Sequence, residues 1–253
     1  MKKRIFSLLL LSACVCGAWA DDTGMGLELS AEKKITKGFS AEVEGEFRTQ
    51  DGLGDRERWS LGAGLEYKWN KWLKSDVGYT FIHRHYTEAV KTKNIHKEYD
   101  SPRHRAYVSL SGSWKLPAHL ELSLRERYQY TYETEQFVER YSIATGERAS
   151  DKVVGDESEH LLRSRLMLKW SRKKSAWSPY AHVEMLNDLQ DGLSLDQMRY
   201  TVGTDYKLNK QNSVGVAYRY KDKSDKDDAK GHLFSVKYSY KFYIETPSSD
   251  GIS

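Results

Sequence analysis

The sequence predicts an all-β protein, a closed transmembrane antiparallel β-barrel, and three observations predict it. Apolar residues recur at every second position in one segment after another, with charged residues between them. The connections between segments alternate between tight and long, as in barrels with short periplasmic turns and longer external loops. Five of the six tryptophans beyond residue 20 stand beside the tight turns, while tyrosines gather toward the long loops, as if at two membrane interfaces.

Composition removes the main alternative. Of 253 residues, 40 are Lys or Arg and 36 are Asp or Glu, and the mean hydropathy is −0.73. Each pass of a helical membrane protein needs about 20 apolar residues, and only residues 5–20 form such a run. That run reads as a signal peptide over 1–20. Lys2, Lys3 and Arg4 form its basic start, residues 5–15 its apolar stretch, and Ala18-Trp19-Ala20 its cleavage site. Leu11-Ser12-Ala13-Cys14 also resembles a lipoprotein processing box, which would instead lipidate Cys14. Cys14 and Cys16 both lie in this segment, so cleavage after Ala20 leaves no thiol for disulfides, cysteine zinc sites or thiol catalysis. It also removes three cations, taking the net charge from +4 to +1. The basic balance is therefore no argument for nucleic acid as a partner.

The segments follow in order. A first strand over 24–34 precedes Phe39, Ala41, Val43, Gly45 and Phe47, which alternate with Glu42, Glu44, Glu46 and Arg48. The third runs through Trp59, Leu61, Ala63, Leu65, Tyr67 and Trp69, and the fourth through Leu73, Val77, Tyr79 and Phe81. The fifth carries Ala106, Val108, Leu110, Gly112 and Trp114, and the sixth Leu120, Leu122, Leu124, Tyr128, Tyr130 and Tyr132. Leu162, Leu166, Leu168 and Trp170 mark the seventh, Ala181, Val183 and Met185 the eighth, and Met198, Tyr200, Val202 and Tyr206 the ninth. Val214, Val216, Tyr218 and Tyr220 form the tenth. Phe234, Val236, Tyr238, Tyr240 and Phe242 form the eleventh, which resembles the C-terminal signal read by the outer-membrane assembly machinery.

Tight turns are expected at 36–38, 70–71, 116–117, 173–174 and 209–210. Long loops are expected at 86–101, 133–158, 187–196 and 221–231, with a shorter one at 51–56. The barrel is thus assigned to 21–243 and a short tail to 244–253. Bacterial single-chain barrels have an even strand number, so twelve strands are expected although eleven segments are visible. Ten is the fallback, with the first segment lying in the lumen. Glu126 interrupts the lipid face of its strand, which is cheap only near an interface.

The sequences Glu46-Phe47-Arg48, Arg103-His104-Arg105, Leu124-Arg125-Glu126-Arg127-Tyr128 and Leu162-Arg163-Ser164-Arg165 resemble an uncharacterised family of bacterial outer-membrane β-barrel proteins, a domain of unknown function. The resemblance implies a barrel in the outer membrane of a Gram-negative bacterium, among lipids and lipopolysaccharide. It implies no activity.

Function must come from the inward positions. By alternation Arg48, Arg58, Arg84, Arg103, Arg105, Arg125, Arg127, Arg163, Arg165, Arg199 and Arg219 point inward in the half nearer the long loops. Glu42, Glu44, Glu66, Glu121 and Asp205 point inward nearer the tight turns. A basic ring in a narrow lumen concentrates anions and selects them, so a porin-like passive channel for small, preferentially anionic solutes is the leading expectation. Stacked Arg and Glu can instead pair and fill so narrow an interior, giving a closed structural or surface-interaction barrel.

A lipid-modifying enzyme is the weakest reading. His83 and His85 share one face at the top of a strand, and Glu88 could join them around a metal, but no serine pattern accompanies them. His104, His119 and His160 are isolated. No catalytic residue, metal ligand or cofactor is assigned. The acidic loop 133–158 could hold divalent cations that bridge lipopolysaccharide.

Overall fold

The computed structural model describes residues 23–50, 54–223 and 231–242. Fifteen strands run in chain order. They are β1 (Thr23–Thr36), β2 (Phe39–Gln50), β3 (Asp55–Lys68), β4 (Leu73–Tyr86), β5 (Ala89–Lys91), β6 (Asn94–His96), β7 (Tyr99–Lys115), β8 (Leu120–Glu133), β9 (Gln136–Ser142), β10 (Arg148–Val154), β11 (Glu157–Trp170), β12 (Trp177–Asp188), β13 (Ser194–Lys207), β14 (Asn212–Lys223) and β15 (Gly231–Phe242). Eleven of them close a barrel in the order β1-β15-β14-β13-β12-β11-β8-β7-β4-β3-β2. The expected signal peptide at 1–20, both cysteines and the tail at 244–253 lie outside the described residues.

Strict two-residue alternation makes these segments strands and sends their two sets of side chains to opposite faces. The apolar set faces out. Leu61 and Trp69 are each 62% exposed, and Leu29, Val43, Val77, Val108, Leu166 and Val202 stand on the same outer wall. The charged and small set faces in. The interior is therefore polar, the reverse of a water-soluble barrel, whose apolar face is buried.

Eleven strands, not twelve or ten, build the wall. Each antiparallel hairpin reverses the chain, so an odd number leaves the first and last strands running the same way, and closure between them must be parallel. β1 and β15 pair in that manner from Thr23↔His232 to Lys33↔Phe242. β1 also pairs antiparallel with β2, so it belongs to the wall and does not lie in the lumen. A parallel seam satisfies every ladder group as an antiparallel one does, which is why parity can be broken without leaving an edge. The seam also sets polarity, since β1 begins at the rim bearing the long loops and β15 ends at the rim bearing the tight turns.

The tight connections are where alternation places them, with Gly38 in a left-handed conformation between β1 and β2 and a single 3-10 turn at Pro117–His119. Trp69, Trp72, Trp114 and Trp177 project outward at that rim, each about half exposed or more. At the opposite rim Trp59 stacks on His83, ring centroids 5.5 Å or less from both Phe81 and His83.

Two long loops have structure of their own. β5 and β6 come from the connection between β4 and β7, and β9 and β10 from that between β8 and β11. Together they make a separate four-stranded sheet in the order β10-β9-β6-β5. Its inner side is anchored by Val138, only 1% exposed. The expected long loop at 187–196 is shorter, because β12 and β13 stay paired up to Asp188↔Ser194.

Candidate functional site

Inside the loop-side half of the barrel lies a cavity of about 590 Å³. Arg48, Arg84, Arg103, Arg105, Arg125, Arg127, Arg163, Arg165, Arg199 and Arg219 all line it, together with Arg58. The reason is parity. Each arginine alternates with outward apolar or aromatic residues, so burying the arginines inside and exposing those residues outside are one constraint. Among the described residues the lining holds thirteen cationic side chains against seven carboxylates, so the surplus is positive.

Two carboxylates gather five of these eleven guanidinium groups. Glu46 on β2 accepts from Arg48 at 2.5 Å and from Arg58 at 2.6 Å. Across the barrel, Glu184 on β12 accepts from Arg125 and Arg163, both at 2.8 Å, with Arg199 at 3.5 Å. The Glu184 side chain is only 6% exposed. Two further arginines each have a single carboxylate partner. Asp76 accepts from Arg127 at 2.9 Å, and Glu133 at the rim accepts from Arg103 at 2.6 Å.

These carboxylates answer a problem created by register. Arg127 stands directly opposite Arg163, and Arg125 opposite Arg165, across the β8–β11 pair. Arg58 likewise faces both Arg48 and Arg84. Like charges directly opposite each other repel, and Glu46, shared by Arg48 and Arg58, offsets that repulsion for one of these pairs. The remaining four arginines are different. Among the described residues, Arg84, Arg105, Arg165 and Arg219 have no carboxylate within 4.0 Å. Arg84 lies over the Tyr86 ring at 4.8 Å, and Arg105 donates from Nε to Thr131 Oγ1 at 3.2 Å.

Toward the tight turns the cavity is bounded by an aromatic side chain. Tyr107 on β7 crosses the inner face, and Arg127 stacks on its ring at 3.7 Å from the centroid. Two glycines make room for it, since a Cβ at Gly78 would stand 2.5 Å from Tyr107 Cζ and one at Gly64 2.9 Å from its hydroxyl. Tyr180 on β12 repeats the arrangement, and a Cβ on Gly203 would stand 2.7 Å from its ring. Two of the lower acids are taken up by lysines. Lys74 donates to Glu66 at 2.5 Å and Lys169 to Asp205 at 2.6 Å.

Sequence reasoning left out Glu46, Tyr107, Tyr180, His182 and Glu184 as parts of the arginine site. The signal for three of them was present, because Ala181, Val183 and Met185 alternate with Tyr180, His182 and Glu184. Which carboxylate meets which guanidinium was not legible, because that depends on the register of strands far apart in sequence.

The rim histidines form no triad. His85 Nδ1 lies 2.9 Å from Asp100 Oδ1, with His83 at 3.9 Å from the same oxygen. Glu88 is held by Lys97 at 2.6 Å, away from them. Three other outward histidines each meet a tyrosine hydroxyl at Nδ1: His104 with Tyr79, His160 with Tyr128 and His232 with Tyr218, at 2.6–2.8 Å. Such pairs suit an interfacial belt, polar at one end and apolar at the other. In the acidic loop, Glu139 and Asp151 both engage Arg148, and Asp156 accepts from Tyr132. Among the described residues no group of three or more His, Cys, Asp or Glu is arranged to hold a metal ion.

Comparison with solved structures finds 25 similar chains, among them the following three. The beta domain of the Bordetella autotransporter BrkA matches with a TM-score of 0.48 and 13% identity, covering 81% of this chain and 82% of that one. The translocator domain of the autotransporter NalP from Neisseria meningitidis gives 0.47 and 12%, over 76% and 71%. A bacterial polysaccharide outer membrane secretin gives 0.37 and 11%, over 78% and 73%. No curated protein matches the chain. A match across residues 24–231, which takes in every arginine that lines the cavity, makes the chain a member of the family described as Protein of unknown function (DUF2490).

Proposed function

We propose that the chain resides in the bacterial outer membrane and forms a porin-like passive channel for small, preferentially anionic solutes. The observation that carries the channel reading is the excess of guanidinium groups inside a closed wall, four of them without a carboxylate partner among the described residues. Low-dielectric walls focus the field of such a ring, raise the local concentration of anions and repel cations. Membrane residence is supported by the apolar outer wall, the aromatic residues at both rims and the absence of a free barrel edge. In this reading the chain performs no covalent chemistry and needs no cofactor. Its partners are lipids, lipopolysaccharide, the assembly machinery and the solute.

A second reading is favoured by one specific observation. Tyr107, with Arg127 stacked on it, lies on the inner face at the cavity wall, and a side chain so placed narrows or closes the bore. The barrel would then act through its surface and its external sheet.

Reconstitution in a planar bilayer separates the two. The channel predicts discrete conductance steps with anion preference, and that preference falls in a double variant with Arg165→Gln and Arg219→Gln. Neither arginine has a carboxylate partner within reach, so the double change leaves the ion pairs intact. A silent bilayer at every voltage, from protein that has refolded as a barrel, favours the closed reading.

A further inference from the structure

The channel reading treats the lumen as a bore, and the pairing inside it suggests more. Glu46 and Glu184 stand on opposite sides of the barrel, and each is already saturated by arginines. Between them lies Arg105 on β7, a strand that reaches the β2 side through β4 and β3 and the β12 side through β8 and β11. Arg105 has Thr80 opposite it on one side and Thr131 on the other, so its strand neighbours supply hydroxyl groups and no charge. In the cavity it shares the field of Glu159 and of two like charges, Arg58 and Arg163. These belong respectively to the Glu46 and the Glu184 clusters, and the Nε of each is a buried donor with no partner. Arg84 and Arg125 add two more unmet Nε groups to the same chamber.

Buried donors without acceptors are costly, at about 1–3 kcal/mol for each such group, and are found where something outside the chain satisfies them. Water can supply acceptors but not negative charge. On the β3–β4 side of Arg105 the cavity is lined by the small side chains of Ser60 and Thr80.

Resting on the channel reading, we infer that the chamber contains a discrete site for a tetrahedral oxyanion, the phosphate group of inorganic phosphate or of a small phosphate ester, held by Arg105 with Arg58 and Arg163. A carboxylate presents its acceptors in one plane, and the protein's own carboxylates already take that role, Glu46 with two guanidinium groups and Glu184 with three. What remains are donors from three strands that converge from different directions. A tetrahedral dianion presents oxygens in those directions and carries the charge that the surplus lacks. Thr80 and Thr131 add hydroxyl donors.

The site turns a simple bore into a saturable one, which permits a test separable from the channel itself. The mature protein, refolded in detergent, is titrated with inorganic phosphate by calorimetry, and the same preparation is recorded in a planar bilayer in chloride with phosphate added. Saturable binding is expected, with phosphate reducing the chloride current at the concentrations that fill the site. Arg105→Gln, which breaks no ion pair, raises the half-saturating concentration about tenfold, the loss of one charge-assisted contact, while chloride still passes. Acetate at equal ionic strength neither binds nor blocks. Glucose 6-phosphate distinguishes the sources: binding at least as tight as that of phosphate assigns the site to esters, and weaker binding assigns it to the free ion. An anion-selective current without saturable phosphate binding, or acetate competing as well as phosphate, overturns the site and leaves the channel standing. Phosphate binding in a barrel that conducts nothing overturns the channel and leaves the site.

Discussion

The ring of Tyr107 lies against Gly78 so closely that any larger residue there would collide with it, a Cβ standing 2.5 Å from Tyr107 Cζ. Glycine at 78 and tyrosine at 107 thus form a fitted pair across the β4–β7 ladder, where Gly78 and Tyr107 are register partners. The pair sets an aromatic ring in the wall of the arginine chamber and gives Arg127 a face to rest on. Removing the ring by Tyr107→Ala is expected to widen the path and raise single-channel conductance, at a cost of about 1 kcal/mol from the lost cation–π contact. Conductance equal to that of the unaltered barrel would mean that Tyr107 does not set the narrowest point.

Glu184 is the most heavily shared carboxylate in the lumen, and its loss should be felt in stability. Glu184→Gln keeps the shape of the side chain while leaving Arg125, Arg163 and Arg199 without their anion. Breaking a buried pair in this way costs about 3 kcal/mol or more, because uncompensated charges stay buried. The measurement is urea-induced unfolding from lipid vesicles. Stability within about 0.5 kcal/mol of the parent would show that water in the lumen screens these charges, since exposed pairs contribute little.

How far the sequence could be read follows from the same ladder. The wall was legible because alternation over a dozen residues is a local pattern, visible in Phe39 to Arg48 without any knowledge of the partner strand. Eleven segments were countable for that reason, and only the general rule of even parity argued for twelve. The parallel β1–β15 seam is a contact between the two ends of the barrel, which no local pattern encodes. The external sheet was read as loops because β5 and β6 have three residues each and β10 carries Arg148, Asp151 and Lys152, too short and too charged to show a period. The inward arginines were legible as a set. Their division into ion-paired groups and unpaired ones was not, since Arg163 meets Glu184 only because β11 and β12 share one particular register.

Glu126 provides a test of the outer wall. It was expected near an interface, yet it sits midway along β8 on the outward face, where Ser164 on β11 donates to its carboxylate at 2.5 Å. A charge at mid-height on a lipid-facing wall is unfavourable, less so for an acid than for Lys or Arg, and the hydroxyl offsets part of it. Ser164→Ala should therefore destabilise the barrel in vesicles by about 1 kcal/mol, and Glu126→Leu should stabilise it or leave it unchanged. Destabilisation by Glu126→Leu in vesicles would place a polar partner, not lipid, against this patch.

The external sheet should loosen in mild acid. His96 on β6 is held below the ordinary histidine range, first by burial and then by the positive charges of Lys152, Lys91 and Arg140. Its neutral form is thus favoured in the folded sheet, and the unfolded loop binds the proton more readily. Stability contributed here is present above the ordinary value near 6.5 and is lost as pH falls below it. Limited proteolysis of the refolded barrel should accordingly cut within 87–98 or 134–156 faster at pH 5 than at pH 7, while the barrel itself stays intact. His96→Gln, which cannot take up the proton, should flatten that difference. Val138→Asp should remove it from the other direction by opening the sheet at both pH values, because its side chain is almost wholly enclosed. A cleavage rate in the parent protein that does not change with pH would exclude His96 as the controlling group.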